Sequence, residues 1–285
     1  RHVKWITGTC LTIAALYTVA QCWKFFKCIP SEQGNIAPTS DADIEERDEE
    51  VNVWATPHIS AMPCSSISKT TTIPQLSKLC KANLCHMRVF YTSLGTKRLA
   101  HCDAFFPKSN CAIIPIHMWK SDDLKAQFTR HDPEKIGGNF ECYLSRKHSV
   151  DIPNTDFSLV WVPNGGDWKD LSDYFPRGDY GTVPGRLIFK KQNGSCIESP
   201  ILMKSGLVRT EAATFQGHHY ETCFPTFPGL CMAPVLTETK GPMIGGFHLG
   251  GENGKVVGSS GLLTYTQLAL AFEKLGKCKG VVLSK

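Results

Sequence analysis

Residues 225–234 read PTFPGLCMAP, and residues 243–251 read MIGGFHLGG. The first stretch carries two prolines and Gly229 ahead of Cys231, which predicts a tight, preset loop. A glycine two residues before a thiol lets backbone N–H groups converge on the same point as the sulfur. The stretch therefore predicts a loop that presents a nucleophilic cysteine, in a chain whose surrounding residues are rich in β-forming types.

Short β-like runs extend outward from this loop and fill most of the chain beyond about Gln75. Gly, Pro, Asn or Asp separates most of them, as is typical of the strands of a barrel or sandwich. Only residues 265–275 have the apolar spacing of a helix. We therefore predict an all-β fold with a C-terminal helix. The predicted runs are residues 87–94, 97–106, 110–119, 157–163, 186–191, 200–208, 211–224, 233–239, 243–251 and 255–264.

The N-terminal quarter of the chain has a different composition. Residues 5–23 are uncharged and have lysines on both sides, and this length just suffices to cross a bilayer as a helix. A signal peptide or a buried core helix are the alternatives, but the basic flanks favour a membrane anchor. Residues 31–72 are acidic and polar, including DADIEERDEE at 41–50, which predicts a tether.

The cysteine content argues against a disulfide scaffold. The chain has 13 cysteines at irregular spacings, and an odd number cannot all be paired. Cys80 and Cys85 lie close together, but no second Cys/His pair at ligand spacing follows them, so no zinc site is expected. We predict a reducing compartment in which most thiols are buried and inert. The net charge of +5 is too small to define a partner.

His117 is the candidate base for such a thiol. It directly follows the apolar run AIIPI at 112–116, which places a polar ring where a buried strand ends and a cleft can open. His101 is the nearest competitor. A third group must orient the imidazole, and Asp156 opens an apolar strand where a buried carboxylate would need a partner. Glu141 and Asp151 are the alternatives for that role.

The order His, Asp, Cys on a β-rich chain resembles the chymotrypsin fold, and specifically the picornaviral 3C-type cysteine proteases. Gly229-Leu230-Cys231 resembles the Gly-x-Cys-Gly nucleophile motif of that family. Residues 246–251, GFHLGG, are similar to its Gly-x-His-x-Gly-Gly motif, whose histidine lies in the pocket for a Gln or Glu side chain. Thr226 matches the threonine beside that histidine. The likeness spans residues 88–275.

The resemblance implies a chymotrypsin-like double β-barrel that processes the polyprotein of a positive-strand RNA virus, cleaving after Gln or Glu without metal or cofactor. The implied division is a membrane-anchor segment at 1–30, a polar linker at 31–75, an N-terminal barrel at 76–175, and a C-terminal barrel with the terminal helix at 176–285. The expected location is the host cytoplasm, at membranes of the replication complex. The implied site is a His117, Asp156 and Cys231 triad, an oxyanion hole at Gly229 and Cys231, and a pocket with Thr226 and His248.

The chemistry of the pocket residues agrees with that implication independently. A neutral histidine N–H and a threonine hydroxyl suit the carbonyl of a glutamine side chain, which a hydrophobic slot could not recognise.

One residue departs from the family pattern, because Met232 stands where the family usually has glycine. If that position needs a left-handed backbone, methionine is strained there. The alternative function is therefore a catalytically impaired RNA-binding or scaffold domain on the same fold.

Two further segments carry functional expectations. Trp168, Lys169 and Asp170 resemble the aromatic and basic segment with which 3C-type proteases hold RNA, and a basic residue beside a ring suits phosphate and base contacts. Gln33-Gly34 in the predicted tether is the candidate self-cleavage site. Gln216-Gly217 is the other Gln-Gly pair, and we expect its predicted strand to protect it. The absence of a Gly-Asp-Ser-Gly frame disfavours a host serine protease.

Overall fold

A computed structural model describes residues 71–93, 95–130, 139–163, 165–190, 196–210, 213–239, 241–251, 254–278, 281 and 283. The predicted N-terminal hydrophobic helix, most of the polar linker and Gln33-Gly34 lie outside these residues. Within them, no helix has the length and apolar content that crossing a membrane requires.

Helix α1 (Ile73–Ala82) opens the described chain and was not expected from the sequence. Its N-terminus is a capping box, in which the Thr72 side chain accepts from the backbone N–H of Gln75 and the Gln75 side chain accepts from the backbone N–H of Thr72. A proline in the first turn adds a preset φ. Leu76 and Cys80 face the core, so a short amphipathic helix forms where a tether was predicted to end.

The first sheet has seven antiparallel strands in the order β5-β4-β1-β2-β3-β7-β6. Its inner face carries small and aromatic residues from alternate positions, as a half-buried strand requires. Strand β5 also approaches β7, which brings the two ends of the sheet towards each other. The strands are β1 (Leu84–Ser93), β2 (Thr96–Lys108), β3 (Cys111–Pro115), β4 (Asp123–Arg130), β5 (Asn139–Ser145), β6 (Ser149–Asp151) and β7 (Phe157–Trp161).

The second sheet closes into a six-stranded antiparallel barrel, in the order β10-β13-β12-β11-β8-β9. The predicted C-terminal helix is present as α2 (Tyr265–Gly276), again with a capping box at Thr264. The all-β chymotrypsin-like architecture expected from the sequence is therefore confirmed. The barrel strands are β8 (Val183–Lys190), β9 (Cys196–Arg209), β10 (Thr214–Glu221), β11 (Pro234–Glu238), β12 (Pro242–Gly251) and β13 (Val257–Gly261).

Each helix packs on the sheet that is distant from it in sequence. Helix α1 precedes the first sheet but contacts β11 and β12 of the barrel, and α2 follows the barrel but contacts β6 and β7. The Ser77 hydroxyl and the Lys81 ammonium of α1 both donate to Glu198 of β9, each at 2.5 Å. The two helices thus connect the two sheets.

Aromatic side chains fill the interface between the sheets. Phe247 of β12 lies 5.1 Å from Phe105 of β2, 5.6 Å from Phe157 of β7 and 6.1 Å from Phe175, measured between ring centroids. All four rings are fully buried. Offset and edge-on ring contacts of this kind add to the hydrophobic free energy of burial, so this cluster fixes one sheet against the other.

Candidate active site

His117 and Asp156 are brought together by the pairing of β3 with β7. Pro115 pairs with Phe157, so the residues just beyond these strand ends are neighbours. The backbone N–H of Ile116 donates to the carbonyl oxygen of Asp156 at 3.0 Å. The side chains meet as well, with Nδ1 of His117 2.8 Å from Oδ2 of Asp156, whose carboxylate is fully buried.

This pairing changes the acid–base behaviour of His117. Burial lowers the pKa of the imidazole, but the hydrogen bond to Asp156 and the interactions with Cys231 outweigh burial and raise that pKa to about 10. Nδ1 carries the proton shared with the carboxylate, which leaves Nε2 as the atom that can accept another. His117 is therefore a stronger base than an isolated imidazole.

Cys231 lies at the interface between the sheets, in the loop that joins β10 to β11. Its thiol donates to the carbonyl oxygen of Leu249 at 3.2 Å, and its side chain packs with the core of the first sheet. Nε2 of His117 is buried, and the Cys231 side chain lies beside the ring. Hydrogen bonding with Cys231, followed by the negative charge of its sulfur once formed, raises the pKa of the imidazole.

The other thiols have a different environment. No disulfide joins the nine cysteines in the described part of the chain, and several of them are buried. Burial raises the pKa of Cys80 and Cys102, and it raises the pKa of Cys111 and of Cys142 to about 12. A thiol that stays protonated at neutral pH is a poor nucleophile, which leaves Cys231 as the cysteine beside a base.

The competing candidates lie elsewhere. Glu141 pairs with Nζ of Lys125 at 2.9 Å, and Asp151 accepts two hydrogen bonds of 2.6 Å from Arg146. Both carboxylates are about half exposed and engaged with cations. His101 packs against Gly229 rather than beside Asp156.

The loop around Cys231 contains two residues with positive φ, one on each side of the thiol. Gly229 has φ 93° and Met232 has φ 70°, so the methionine occupies the left-handed region. The backbone N–H of Leu230 donates to Phe227 and that of Met232 donates to the carbonyl oxygen of His248 at 2.7 Å. No hydrogen bond from the N–H groups of Gly229 and Cys231 to a backbone carbonyl is found among the described residues.

His248 of β12 is fully buried, and burial lowers its pKa to about 3. Its Nδ1 lies 2.6 Å from the hydroxyl of Tyr220, which is also buried. A tyrosine hydroxyl that donates to Nδ1 places the imidazole proton on Nε2, and Nε2 has no partner among the described residues. The His248 ring is therefore uncharged at neutral pH, and its Nε2–H is a donor without an acceptor among the described residues.

Tyr220 was not identified from the sequence, because its role depends on strand register. It pairs with Gly258, where an added Cβ would lie 2.7 Å from the Tyr220 ring and 3.1 Å from His248. Thr226, in the loop that follows β10, lies against Gly251 at the end of β12, the strand that carries His248, and its hydroxyl donates to the carbonyl oxygen of Lys255 at 3.1 Å.

The segment predicted to bind RNA, residues 168–170, lies beside the first sheet and helix α1. The Trp168 ring stacks on Phe106 at 4.5 Å, and the Arg130 guanidinium lies 4.0 Å from the ring centroid. Lys169 and Asp170 are exposed. Arg130, Trp168 and Lys169 border a cavity of about 580 Å³ that helix α1 also lines. The tryptophan is thus engaged within the protein, and the lysine is presented at the surface.

No family model matches the chain, and no curated protein does. The HRV-C 3C protein with rupintrivir is 19% identical with a TM-score of 0.43, covering 67% of this chain and 96% of its own. Tobacco etch virus protease complexed with product is 14% identical (69% and 80% covered, TM-score 0.49), and a protease from M. tuberculosis in its active form is 11% identical (78% and 95%, TM-score 0.47). At these identities the likeness concerns the fold alone.

Proposed function

We propose that this chain is a cysteine endopeptidase in which Cys231 is the nucleophile, His117 the base and Asp156 the group that orients the base. The contact of 2.8 Å between Nδ1 of His117 and Oδ2 of Asp156, with the Cys231 thiol beside the same imidazole, is the observation that supports this most strongly. A thiol, a base and an orienting carboxylate on two sheets are the components of nucleophilic acyl transfer.

In the proposed mechanism, Nε2 of His117 takes the proton of the Cys231 thiol, and the resulting thiolate attacks the carbonyl carbon of the scissile peptide. The new oxyanion accepts hydrogen bonds from the N–H groups of Gly229 and Cys231. The tetrahedral adduct collapses, the amine leaves with the proton from His117, and a thioester remains on the sulfur. Water, deprotonated by His117, then hydrolyses the thioester and regenerates the free thiol.

His248 is the proposed determinant of the residue before the cleaved bond. A neutral imidazole whose Nε2 carries a proton can donate to the side-chain carbonyl of glutamine, and Tyr220 holds it in that form. A carboxylate in the same buried place would lose its hydration without gaining a positive charge. We therefore expect glutamine to be preferred over glutamate at this position.

Cleavage of a peptide series that differs only at this residue tests the specificity. The parent enzyme should cleave the Gln peptide at least about 100-fold faster than the Leu peptide, because an unpaired buried donor strongly rejects a substrate without an acceptor. Tyr220→Phe should reduce that ratio, since the hydroxyl no longer fixes the tautomer of His248. Equal rates for Gln and Leu peptides would rule out this pocket.

We place this activity in the processing of a viral polyprotein, with Gln33-Gly34 as the first candidate site and replication membranes as the location. Gln216-Gly217 is a poor alternative, because it lies within β10, paired with β9 and β13. Mass spectrometry of the products after expression of the whole chain tests this.

The alternative function is an impaired scaffold domain on the same fold, for which the left-handed backbone of Met232 is the main argument.

RNA binding is the second candidate function, and the cavity beside Lys169 favours it. Its lining includes Lys78, Arg130 and Lys169, against one carboxylate, Asp167. Because the Trp168 ring is already stacked on Phe106, phosphate contacts rather than base stacking should supply the affinity. Lys169→Glu should weaken binding of a labelled single-stranded RNA at fixed salt. The matched control is Lys97→Glu, at an exposed lysine of β2.

A further inference from the structure

Strand β2 of the first sheet touches the loop that carries Cys231. A Cβ added to Gly229 would lie 2.6 Å from both Cε1 and Nδ1 of His101. The edge of the imidazole is therefore in direct contact with the Gly229 backbone. Two residues further along, the N–H of Asp103 donates to the carbonyl oxygen of Cys231 at 2.9 Å. The strand thus contacts both ends of the segment 229–231.

Neighbouring groups hold the His101 ring in place. His86 lies opposite Asp103 on β1, with its Nδ1 3.5 Å from Oδ1 of Asp103, and its ring centroid is 5.4 Å from that of His101. Burial, followed by the charges of His86 and Arg88, lowers the pKa of His101 to about 4. The ring is therefore uncharged at neutral pH and packs against the loop without a buried charge.

We propose that His101 is a positioning residue that fixes the Gly229 backbone, so that the N–H groups of Gly229 and Cys231 point at the same oxyanion. The inference rests on the proposed function and adds a residue outside the triad. Gly229 is at φ 93°, and glycine has the widest backbone freedom of any residue, so an external contact is needed to hold one conformation. The His101 ring supplies that contact, and the Asp103 N–H anchors the other end.

The expected effect falls on the chemical step. Loss of one oxyanion donor costs about 100- to 1,000-fold in kcat in other enzymes. Misalignment without loss should cost less, so His101→Ala should lower kcat at least about 10-fold while KM changes less than about two-fold. His148→Ala is the matched control, because His148 is also a half-buried histidine but lies in the turn between β5 and β6 and packs against Trp161. It should keep the parent kcat.

Alkylation of Cys231 by iodoacetamide distinguishes a specific misalignment of the loop N–H groups from a general loosening of the structure around the thiol. Displacement at a saturated carbon forms no oxyanion, so its rate depends on the thiolate and the base but not on the loop N–H groups. His101→Ala should leave this rate within about two-fold of the parent, followed by mass spectrometry of the Cys231 peptide. A parallel fall in alkylation and kcat would overturn the proposal in favour of a merely structural role.

A double-mutant cycle tests the contact itself. Gly229→Ala forces a methyl group into the His101 ring, and removal of the ring relieves that clash. The double variant His101→Ala with Gly229→Ala should therefore retain more activity than the product of the two single effects predicts. Multiplicative effects would show that the His101 ring and the loop are uncoupled.

The Cys231→Ala variant is assayed in parallel, so that failure of the two proposals can be told apart. Activity in that variant would refute the proposed function, whereas a parent-like kcat in His101→Ala would refute only the positioning role.

Discussion

Met232 combines a strained backbone with a well-packed side chain. Its φ of 70° costs about 1–2 kcal/mol for a residue with a Cβ. The side chain, however, is fully buried in the core between the sheets, and removal of a buried methionine costs about 2–5 kcal/mol. Burial outweighs strain, which explains how a bulky residue is tolerated where a glycine would fit the backbone.

Met232→Gly should therefore destabilise the protein by about 1–3 kcal/mol in chemical denaturation, the difference between the lost burial and the relieved strain. Its kcat for a Gln peptide should stay within a few-fold of the parent, because the Met232 N–H that donates to His248 is retained. A gain in stability would mean that strain dominates. A large gain in kcat would support an impaired site in the natural chain.

Asp156→Asn tests the orienting carboxylate. The hydrogen bond to Asp156 raises the pKa of His117, so its replacement by a neutral amide should lower that pKa. NMR titration of His117, with Cys231→Ala as the common background, isolates the effect from the thiol. In the otherwise unchanged enzyme, kcat should fall by about 1,000- to 10,000-fold. An unchanged pKa would separate Asp156 from the imidazole.

At the level of single residues, the sequence named His117 and Asp156 from their places at strand ends, and the structure places them in hydrogen-bond contact. Tyr220 was not among the candidates, and His101 was considered only as an alternative base. Their positions follow from which residues face each other across β10, β13 and β2, and a register is set by whole strands rather than by local sequence.

Both helices in the described part of the chain begin with a capping box. Thr72 caps α1 and Thr264 caps α2, each in a capping box with the glutamine three residues later. Thr72→Ala and Thr264→Ala should each lower the free energy of unfolding by about 1 kcal/mol. The control is Thr214→Ala at an exposed strand position. A loss no larger than that of the control would show that the caps do not stabilise the helices.

Physical reasons explain why the sequence prediction missed three strands and one helix of the described chain. Strands β4, β5 and β6 were not predicted, although Leu124, Ala126 and Phe128 of β4 alternate as buried positions. Charged and polar residues fill the other positions, and the prediction favoured continuous apolar runs, which identify strands buried on both faces. Helix α1 has apolar residues at helical spacing (Ile73, Leu76 and Cys80) as well as a capping box, but it is only ten residues long and follows a polar segment, so the prediction missed both signals.

At the scale of the whole molecule, the site depends on how the two sheets are held together. His117 and Asp156 belong to the first sheet, whereas Cys231 lies on a loop of the second. The Phe247 ring at the centre of the interface touches three other phenylalanines. Catalysis should therefore be sensitive to packing far from the reacting atoms.

Phe247→Ala should cost about 3–5 kcal/mol of stability and should also lower kcat in the folded fraction. The control is Phe90→Ala, at an exposed ring on β1, which should change neither quantity appreciably. Denaturant unfolding and steady-state kinetics on the same samples provide the measurement. Loss of stability with unchanged kcat would mean that the alignment of the two sheets does not depend on this cluster.

The identity of the nucleophile is tested most directly by the Cys231→Ala variant, assayed on a peptide with glutamine before the cleaved bond. Cys223→Ala, which removes an exposed thiol, is the matched control. Our account predicts that cleavage by Cys231→Ala falls to the background of the uncatalysed reaction, while the Cys223→Ala variant cleaves at the parent rate. Persistent cleavage by Cys231→Ala would contradict it.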